Sequence, residues 1–431
     1  MGSDRKASRG RSRSRHRDRQ HQASHEDHRG PGPVPDLPMV PKETPEPITT
    51  ESAFLEAINH LRNSGTFAYD TEFIGEETYF PQLCLIQLST AERLFLIDPL
   101  AIENLNPVWE LIADPSLLTI VHAGHQDLEP VYRLTSSPAA NVIDTQIAAG
   151  FAGMPYPCSL NRLILAEAHA ESGKGMTFTK WDSRPLSPMQ CRYAADDVRY
   201  LPLVWSQLES RLQEAGLLDW VKAECLGLCE PESYSPDFDS QCNRLQRNRS
   251  LRKPQRALLY RLAQARDQAA RAANMPPRAL MADEVIMALL KHRPQDRDAL
   301  SNLPGMPRFV AREYGDDLIE AICSDEIPEM PPPRPRLAEE TVSQRVTIDS
   351  LWSSITSIAL ARGIAPALLC SRNQIAGWFL AQSGNRPMTP PDLPGWRGEF
   401  MKQELGAFLS GERTLQLAWQ NDRLIVDASS D

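Results

Sequence analysis

Thr66-Phe67-Ala68-Tyr69-Asp70-Thr71-Glu72 is an apolar run that ends on two carboxylates, and the fold is decided by how it is read. A strand sends alternate side chains to opposite faces, so Asp70 and Glu72 share one face at the end of the run. Burying two like charges side by side is costly. The common resolution is a bound cation, which offsets their desolvation and cancels their repulsion. The same spacing also occurs on solvated strand ends, so the pair takes its meaning from its surroundings.

Working outward, an amphipathic helix from Glu51 through Leu61 precedes the run, and strands are expected at Leu83 to Ser89 and Leu94 to Asp98. Further strands at Leu117 to His122 and Val142 to Thr145 alternate with helical stretches, the order of an α/β unit whose mixed sheet is flanked by helices. After Leu160 the pattern is almost wholly helical. Pro254 opens a compact helical unit with Leu258, Leu259, Leu262 and Ala265 at helical spacing, continuing to Cys323. Pro331, Pro332 and Pro333 mark an extended linker, and a second helical unit is expected to about Asp427. The division is therefore a tail over 1–50, an α/β unit over 51–230, helical units over 250–325 and 344–427, and a linker over 326–343.

A chain of 431 residues, 41% hydrophobic and 24% charged, has material for two or three cores. No stretch reaches the roughly 18 apolar residues of a spanning helix, and the basic first 30 residues carry no apolar segment to act as a signal. The expected compartment is the cytoplasm, with no membrane and no obligate protein partner. Eight scattered cysteines form neither a disulfide framework nor a zinc array, and Cys225 and Cys229, four apart on a helix, suit packing. The net charge of −10 is uneven: residues 1 to 30 hold nine Lys or Arg against four Asp or Glu, net +5, which leaves −15 for the rest. The Arg-Ser alternation from Arg9 to Arg19 suits either loose phosphate contact or a solvated, disordered tail.

Two more acidic residues fall where they can join the first pair. Asp127 follows a strand end through Ala123, Gly124, His125 and Gln126, in the first turn of a helix, where an N-cap is the structural alternative. Asp197 lies four residues after Tyr193, so both share one helix face while Asp196 points elsewhere. Carboxylates converging from one strand and two helices are what a pair of divalent cations, Mg2+ or Mn2+, requires on a phosphodiester: hard oxygen ligands with positions left open for phosphate and water. One ion activates a water, the other stabilises the leaving 3′ oxygen, and the tyrosine hydroxyl can hold the water in line. His122 and His125 suit local hydrogen bonding in so oxygen-rich a site. Asp144 suits a helix cap or a supporting position. Lys174, Lys180 and Arg184 are candidates for substrate phosphate or are simply solvated.

Asp70-Thr71-Glu72, the run Tyr79 to Leu88, His122 with Asp127-Leu128-Glu129, Asp144-Thr145-Gln146, and Trp181 to Leu186 leading to Gln190 and Tyr193-Ala194-Ala195-Asp196-Asp197 occur in one order over residues 50 to 210. In this they closely resemble the ribonuclease D family. The resemblance implies the ribonuclease-H-like 3′–5′ exonuclease fold of the DEDD nucleases, in the tyrosine subgroup. It also implies Asp70, Glu72, Asp127 and Asp197 as metal ligands, with Tyr193 orienting water. Lys253 to Cys323, with Asp283-Glu284 and Leu303-Pro304-Gly305, is similar to an HRDC domain. The last unit, with Ile364-Ala365-Pro366 and Ser371-Arg372, resembles a divergent second HRDC-like repeat. The Arg-Ser tail has no counterpart in that pattern.

The implied activity is a 3′–5′ exoribonuclease releasing nucleoside 5′-monophosphates during 3′ maturation of transfer RNA precursors and other structured RNAs. A related exonuclease acting mainly on DNA is the alternative, since discrimination rests on 2′-hydroxyl contacts that sequence does not locate. A catalytically silent RNA-binding scaffold is disfavoured because every carboxylate and the tyrosine are present, each costly to retain without its metal.

Overall fold

Phe54, Ala57, Ile58 and Leu61 form the buried stripe of α1 (Glu51–Ser64), which ends at Gly65 in the left-handed conformation with φ 72°. The chain then enters β1 (Thr66–Ile74), where Phe67, Ala68 and Tyr69 are all buried, as in a strand covered on both faces. The structure is a computed structural model that describes residues 32–172, 179–246, 251–330, 340–382, 388–412, 414, 416–420 and 423–427.

β1 is the central strand of a five-stranded mixed sheet with β2 (Gln82–Ser89), β3 (Leu94–Ile97), β4 (Leu118–Val121) and β5 (Val142–Asp144), in the order β3-β2-β1-β4-β5. β2 is antiparallel to β1 and to β3, whereas β4 is parallel to β1 and to β5. Phe67 and Tyr69 point into the layer of α1, α2 (Asn106–Ile112) and α3 (His125–Thr135), packing with Leu128 and Val131. Ala68 faces the opposite layer, built from α4 (Thr145–Phe151), α5 (Leu160–Ala168), α6 (Pro188–Arg199), α7 (Leu201–Glu214) and α8 (Leu218–Leu226). The expected mixed sheet flanked by helices is thus present, with strand limits within about two residues of those read from the pattern.

α9 (Phe238–Gln246), α10 (Lys253–Ala273), α11 (Pro277–Leu280), α12 (Asp283–His292), α13 (Arg297–Ser301), α14 (Arg308–Glu313) and α15 (Gly315–Cys323) enclose a core of their own around Leu262, Ile286, Leu289 and Leu318. The last unit, with α16 (Val342–Ala361), α17 (Pro366–Leu369), α18 (Arg372–Ala381), α19 (Gly395–Phe400) and α20 (Gly406–Ser410), behaves differently. Its Ile355, Ile358, Leu368, Trp396 and Phe400 merge with the core of the α/β unit. Trp396 meets Phe151 edge-on at 4.8 Å, Arg397 bonds both carboxylate oxygens of Glu224 at 2.6 Å, and Gly153 N and Ala365 N each donate across the junction at 2.7 Å.

Two expectations need correction. Residues 32–50, expected to belong to a disordered tail, lie on the α/β unit: Val40 is buried, and Ile48 pairs with Ile97 as a parallel bridge. Few aliphatic residues are needed because the buried Arg199 guanidinium donates to Pro41 O, Glu43 O and Thr44 Oγ1, which fixes the segment through two backbone carbonyls and one hydroxyl. The last unit is not helical to Asp427. It ends in a hairpin of β6 (Gln416–Gln420) and β7 (Arg423–Asp427), whose Leu424-Ile425-Val426 run favours a strand.

Candidate active site

The two periodicities that singled out the acidic residues also place them. Asp70 and Glu72 follow Ala68 on the face of β1 that carries α6, and α6 brings Tyr193 and Asp197 to that face. One carboxylate oxygen from each of Asp70, Glu72 and Asp197 lies within 4.8 Å of the others. α6 starts under a capping box of Ser187 and Gln190, with Pro188 in its first turn, and Gln190 Nε2 also holds Lys180 O at 3.3 Å. Trp181 is buried against Tyr193 at a ring distance of 6.2 Å.

Asp127 reaches the site from the other layer. Tyr69 and Thr71 alternate with Asp70, so they face α3; Tyr69 Oη donates to Asp127 O at 2.8 Å, and Thr71 Oγ1 donates to Asp127 Oδ1. The turn before α3 is fixed by Asp144, whose Oδ1 accepts from Ala123 N at 3.0 Å and from Gln146 N at 2.8 Å, while Oδ2 accepts from Gly124 N at 3.2 Å. A Cβ at Gly124 would sit 2.5 Å from Val121 Cβ, so only glycine lets α3 start this close to β4. Asp127 lines one cavity of about 460 Å³ with Asp70, Glu72, Tyr193 and Asp197.

The electrostatics of this cavity call for positive charge. Burial, and then the charges of Asp127, Asp197 and Glu72, push Asp70 well above the usual carboxylate range. Burial followed by Glu72 does the same for Asp197. Glu72 is pushed up to about 8 by burial and Asp127. Burial lifts Asp127 to about 6 against the opposing Thr71 hydrogen bond. These groups cannot all ionise together without a counter-charge. Their donors are all hard oxygens, so the set fits a divalent cation such as Mg2+ or Mn2+. Burial and Asp197 raise the Tyr193 phenol, which keeps it protonated.

The remaining candidates divide by their partners. Asp196 points away, bonded to Arg192 at 2.9 Å and to the buried Arg199 at 2.8 Å. His122 is held through Nδ1 to Thr145 Oγ1 at 2.9 Å and Nε2 to Cys158 O at 3.0 Å, and His125 Nε2 meets Ser233 O at 3.0 Å. Cys225 is buried, with its Sγ accepting from Asp144 N at 3.4 Å.

Arg184, a candidate either for substrate phosphate or for a solvated position, is bonded within the fold. It bonds Asp98 at 2.5 and 2.6 Å, Cys84 O at 2.7 Å, Trp181 O at 2.7 Å and Ser183 O at 3.0 Å, which uses all of its donors. Lys180 is exposed, and Lys174 lies outside the described residues. Sequence reading missed Thr71, Phe73, Gln126, Leu160 and Leu201 on the cavity wall. Thr71 was open to detection, since it is the polar residue on the opposite face of the acidic strand end.

Comparisons with known proteins cover both the α/β unit and the helical unit behind it. A 3′-5′ exonuclease family model matches residues 45–213, and an HRDC domain model matches residues 255–322. Ribonuclease D of Serratia proteamaculans is 31% identical over 372 residues, covering 84% of this chain and 98% of that protein. Ribonuclease D of Gluconacetobacter diazotrophicus is 30% identical over 377 residues, covering 86% and 95%. The crystal structure of Escherichia coli RNase D, described as an exoribonuclease involved in structured RNA processing, superposes with a TM-score of 0.66 at 30% identity, over 84% of this chain and 98% of that one. With an acidic exonuclease sheet, an HRDC unit behind it and similarity over nearly the whole length of these relatives, the chain belongs to the ribonuclease D family of 3′–5′ exoribonucleases.

Proposed function

We propose that the chain trims RNA from the 3′ end with two divalent cations, Mg2+ or Mn2+, held by Asp70, Glu72, Asp127 and Asp197, and releases nucleoside 5′-monophosphates. The observation that carries this is the convergence of three carboxylate oxygens within 4.8 Å in a cavity shared with Asp127 and Tyr193. Bound divalent cations supply Lewis acidity and charge neutralisation for the attack on phosphorus and the departure of the 3′ oxygen. Asp70, Glu72 and Asp197 hold them from the α6 side, and Asp127 from the α3 side. Tyr193, kept protonated by its surroundings, orients the attacking water and is not its base. His122 has both ring nitrogens engaged and keeps the β4 end in place.

The substrates proposed are transfer RNA precursors and other structured RNAs, with Lys180 contacting phosphate beside the cavity and the HRDC units supplying grip. The working division is an exonuclease domain over 51–230 with residues 32–50 packed on it, an HRDC unit over 250–325, an HRDC-like unit over 344–427 that ends in a hairpin, and a linker over 326–343, of which 331–339 lie outside the described residues. Among the described residues no helix is long and apolar enough to cross a membrane, and the cytoplasm is the proposed compartment. The test is purified protein on 5′-labelled RNA and DNA of equal sequence, with Mg2+, Mn2+ or chelator. Stepwise shortening of RNA that chelator stops supports the reading. Shortening of DNA alone would favour the DNA alternative, and no shortening of either would favour a silent scaffold.

A further inference from the structure

The loop that leaves the acidic strand end, residues 75–81, packs on the HRDC unit as well as on α3 of its own domain. Tyr79 rests on the core of that unit, and its hydroxyl donates to Asp267 Oδ1 of α10 at 2.7 Å. Arg271, one turn further along α10, donates to Asp267 Oδ2 at 2.8 Å and lies over the Tyr79 ring at 4.9 Å. Phe80 N donates to Asn274 Oδ1 at 3.1 Å, at the left-handed residue that closes α10. The Phe80 ring stands between two guanidinium groups, Arg133 of α3 at 4.9 Å and Arg271 of α10 at 5.9 Å. Arg133 is itself held on Glu129 at 3.0 and 3.1 Å.

Both ends of this clasp lead to acidic residues of the cavity. Glu72 is seven residues before Tyr79, and between them the register shifts at Glu72/Phe73. The loop is tight, since a Cβ at Gly75 would lie 2.9 Å from the Pro81 ring, so a displacement at Tyr79 has little slack to absorb it. Arg133 is six residues after Asp127 on the same helix. The clasp therefore joins the strand of Asp70 and Glu72, the helix of Asp127, and the HRDC unit.

We propose that Tyr79 and Phe80 are positioning residues: by clasping α10 to α3 they set how far Asp127 stands from Asp70 and Glu72, so docking of the HRDC unit tunes the site that holds metal and phosphate. This rests on the metal-site reading above. An HRDC unit that only grips RNA would leave the chemistry of a very short substrate untouched. One that positions the carboxylates does not.

The test uses the full chain with Tyr79→Phe, Phe80→Leu and the ring-retaining Phe80→Tyr. Mn2+ binding is measured by calorimetry without RNA, and kcat and KM on a single-stranded hexanucleotide and on a folded RNA. Misplacement of reacting groups by a fraction of an ångström is expected to lower kcat about tenfold on both substrates. Tyr79→Phe and Phe80→Leu should show this, with weaker Mn2+ binding per folded molecule and an unchanged hexanucleotide KM, while Phe80→Tyr stays near wild type. If only KM on folded RNA rises, or if Mn2+ binding per folded molecule and kcat match wild type, the proposal is overturned. Wild type that neither binds Mn2+ nor hydrolyses RNA would overturn the underlying reading, a different outcome from an active wild type with indifferent variants.

Discussion

Asp196 and Asp197 are neighbours in sequence with opposite tasks, and the difference is legible in the helical period. Asp197 shares a face with Tyr193 and enters the cavity, whereas Asp196 is 1% exposed and bonded to Arg192 and to the fully buried Arg199. Asp197→Asn is expected to abolish hydrolysis with the fold intact. Asp196→Ala strands a buried guanidinium and should cost about 3–5 kcal/mol by denaturant titration, because breaking a buried pair leaves a charge uncompensated. Tyr193→Phe should lower kcat and leave Mn2+ affinity unchanged, since it removes only the hydroxyl that places water; a collapse of Mn2+ binding would make the residue structural. The pKa directions give a pH prediction. Glu72 and Asp127 are raised to about 8 and about 6, so the folded chain holds these protons more tightly than the unfolded chain. Such groups cost nothing below their unfolded values near about 4, and the cost grows as pH rises through the folded values. The melting temperature of the metal-free protein should therefore fall between about pH 5 and pH 8, and stabilisation by Mn2+ should grow over the same window. A flat metal-free profile would contradict the crowded-carboxylate picture. Arg184 shows where reading by residue stops: its sequence neighbours leave phosphate contact and solvation both open, and its partners Asp98 and Cys84 are distant in the chain.

At the scale of elements, alternation along β1 and the i, i+4 pair on α6 made three of the four proposed ligands legible, since both signals are local. Asp127 depends on tertiary detail. α3 reaches the cavity because Asp144 caps the turn at Ala123 and Gly124, and because Thr71 and Tyr69 meet Asp127 from the other face of β1. Gly124→Ala adds a methyl group 2.5 Å from Val121 Cβ, which must push α3 away. Its expected effect is a loss of stability of about 1–3 kcal/mol together with a fall in kcat larger than the lost folded fraction explains. Equal falls in folded fraction and activity would mean that α3 does not place Asp127. The terminal hairpin escaped sequence reading because Leu417 to Val426 is too short for its period to stand out beside long helices. Residues 32–50 escaped because their few aliphatic contacts, such as Val40 and Ile48, follow no helical or strand period, and a distant arginine supplies the rest of the hold.

For the whole molecule, the order of units in the chain does not match the order of their packing. The HRDC unit at 255–322 has its own core, while the last unit shares one with the exonuclease sheet through Phe151, Trp220, Trp396 and Phe400. Sequence reading treats both helical units as separable, because composition does not reveal which apolar face meets which. Truncation after Glu230 exposes that shared core, and the expected result is a melting temperature lower by roughly 10 °C or more, or aggregation, on several kcal/mol of lost burial. A truncated chain as stable as the full one would show that the junction contributes little. The tail at 1–31 lies outside the described residues, and its charge of +5 over residues 1–30 motivates a separate expectation. Deleting it should flatten the fall of RNA affinity with salt, by roughly 0.7 in log-log slope for each phosphate that the tail neutralises, with turnover at saturation unchanged. The most direct measurement follows the first product from RNA bearing a labelled 3′-terminal nucleotide, in a single turnover with Mg2+. Labelled nucleoside 5′-monophosphate should appear at the earliest time, disappear with chelator, and be absent with Asp70→Asn. Release of labelled oligonucleotides or of a 3′-phosphate, or product formation that survives chelator or Asp70→Asn, would contradict metal-dependent 3′–5′ exonucleolysis at this site.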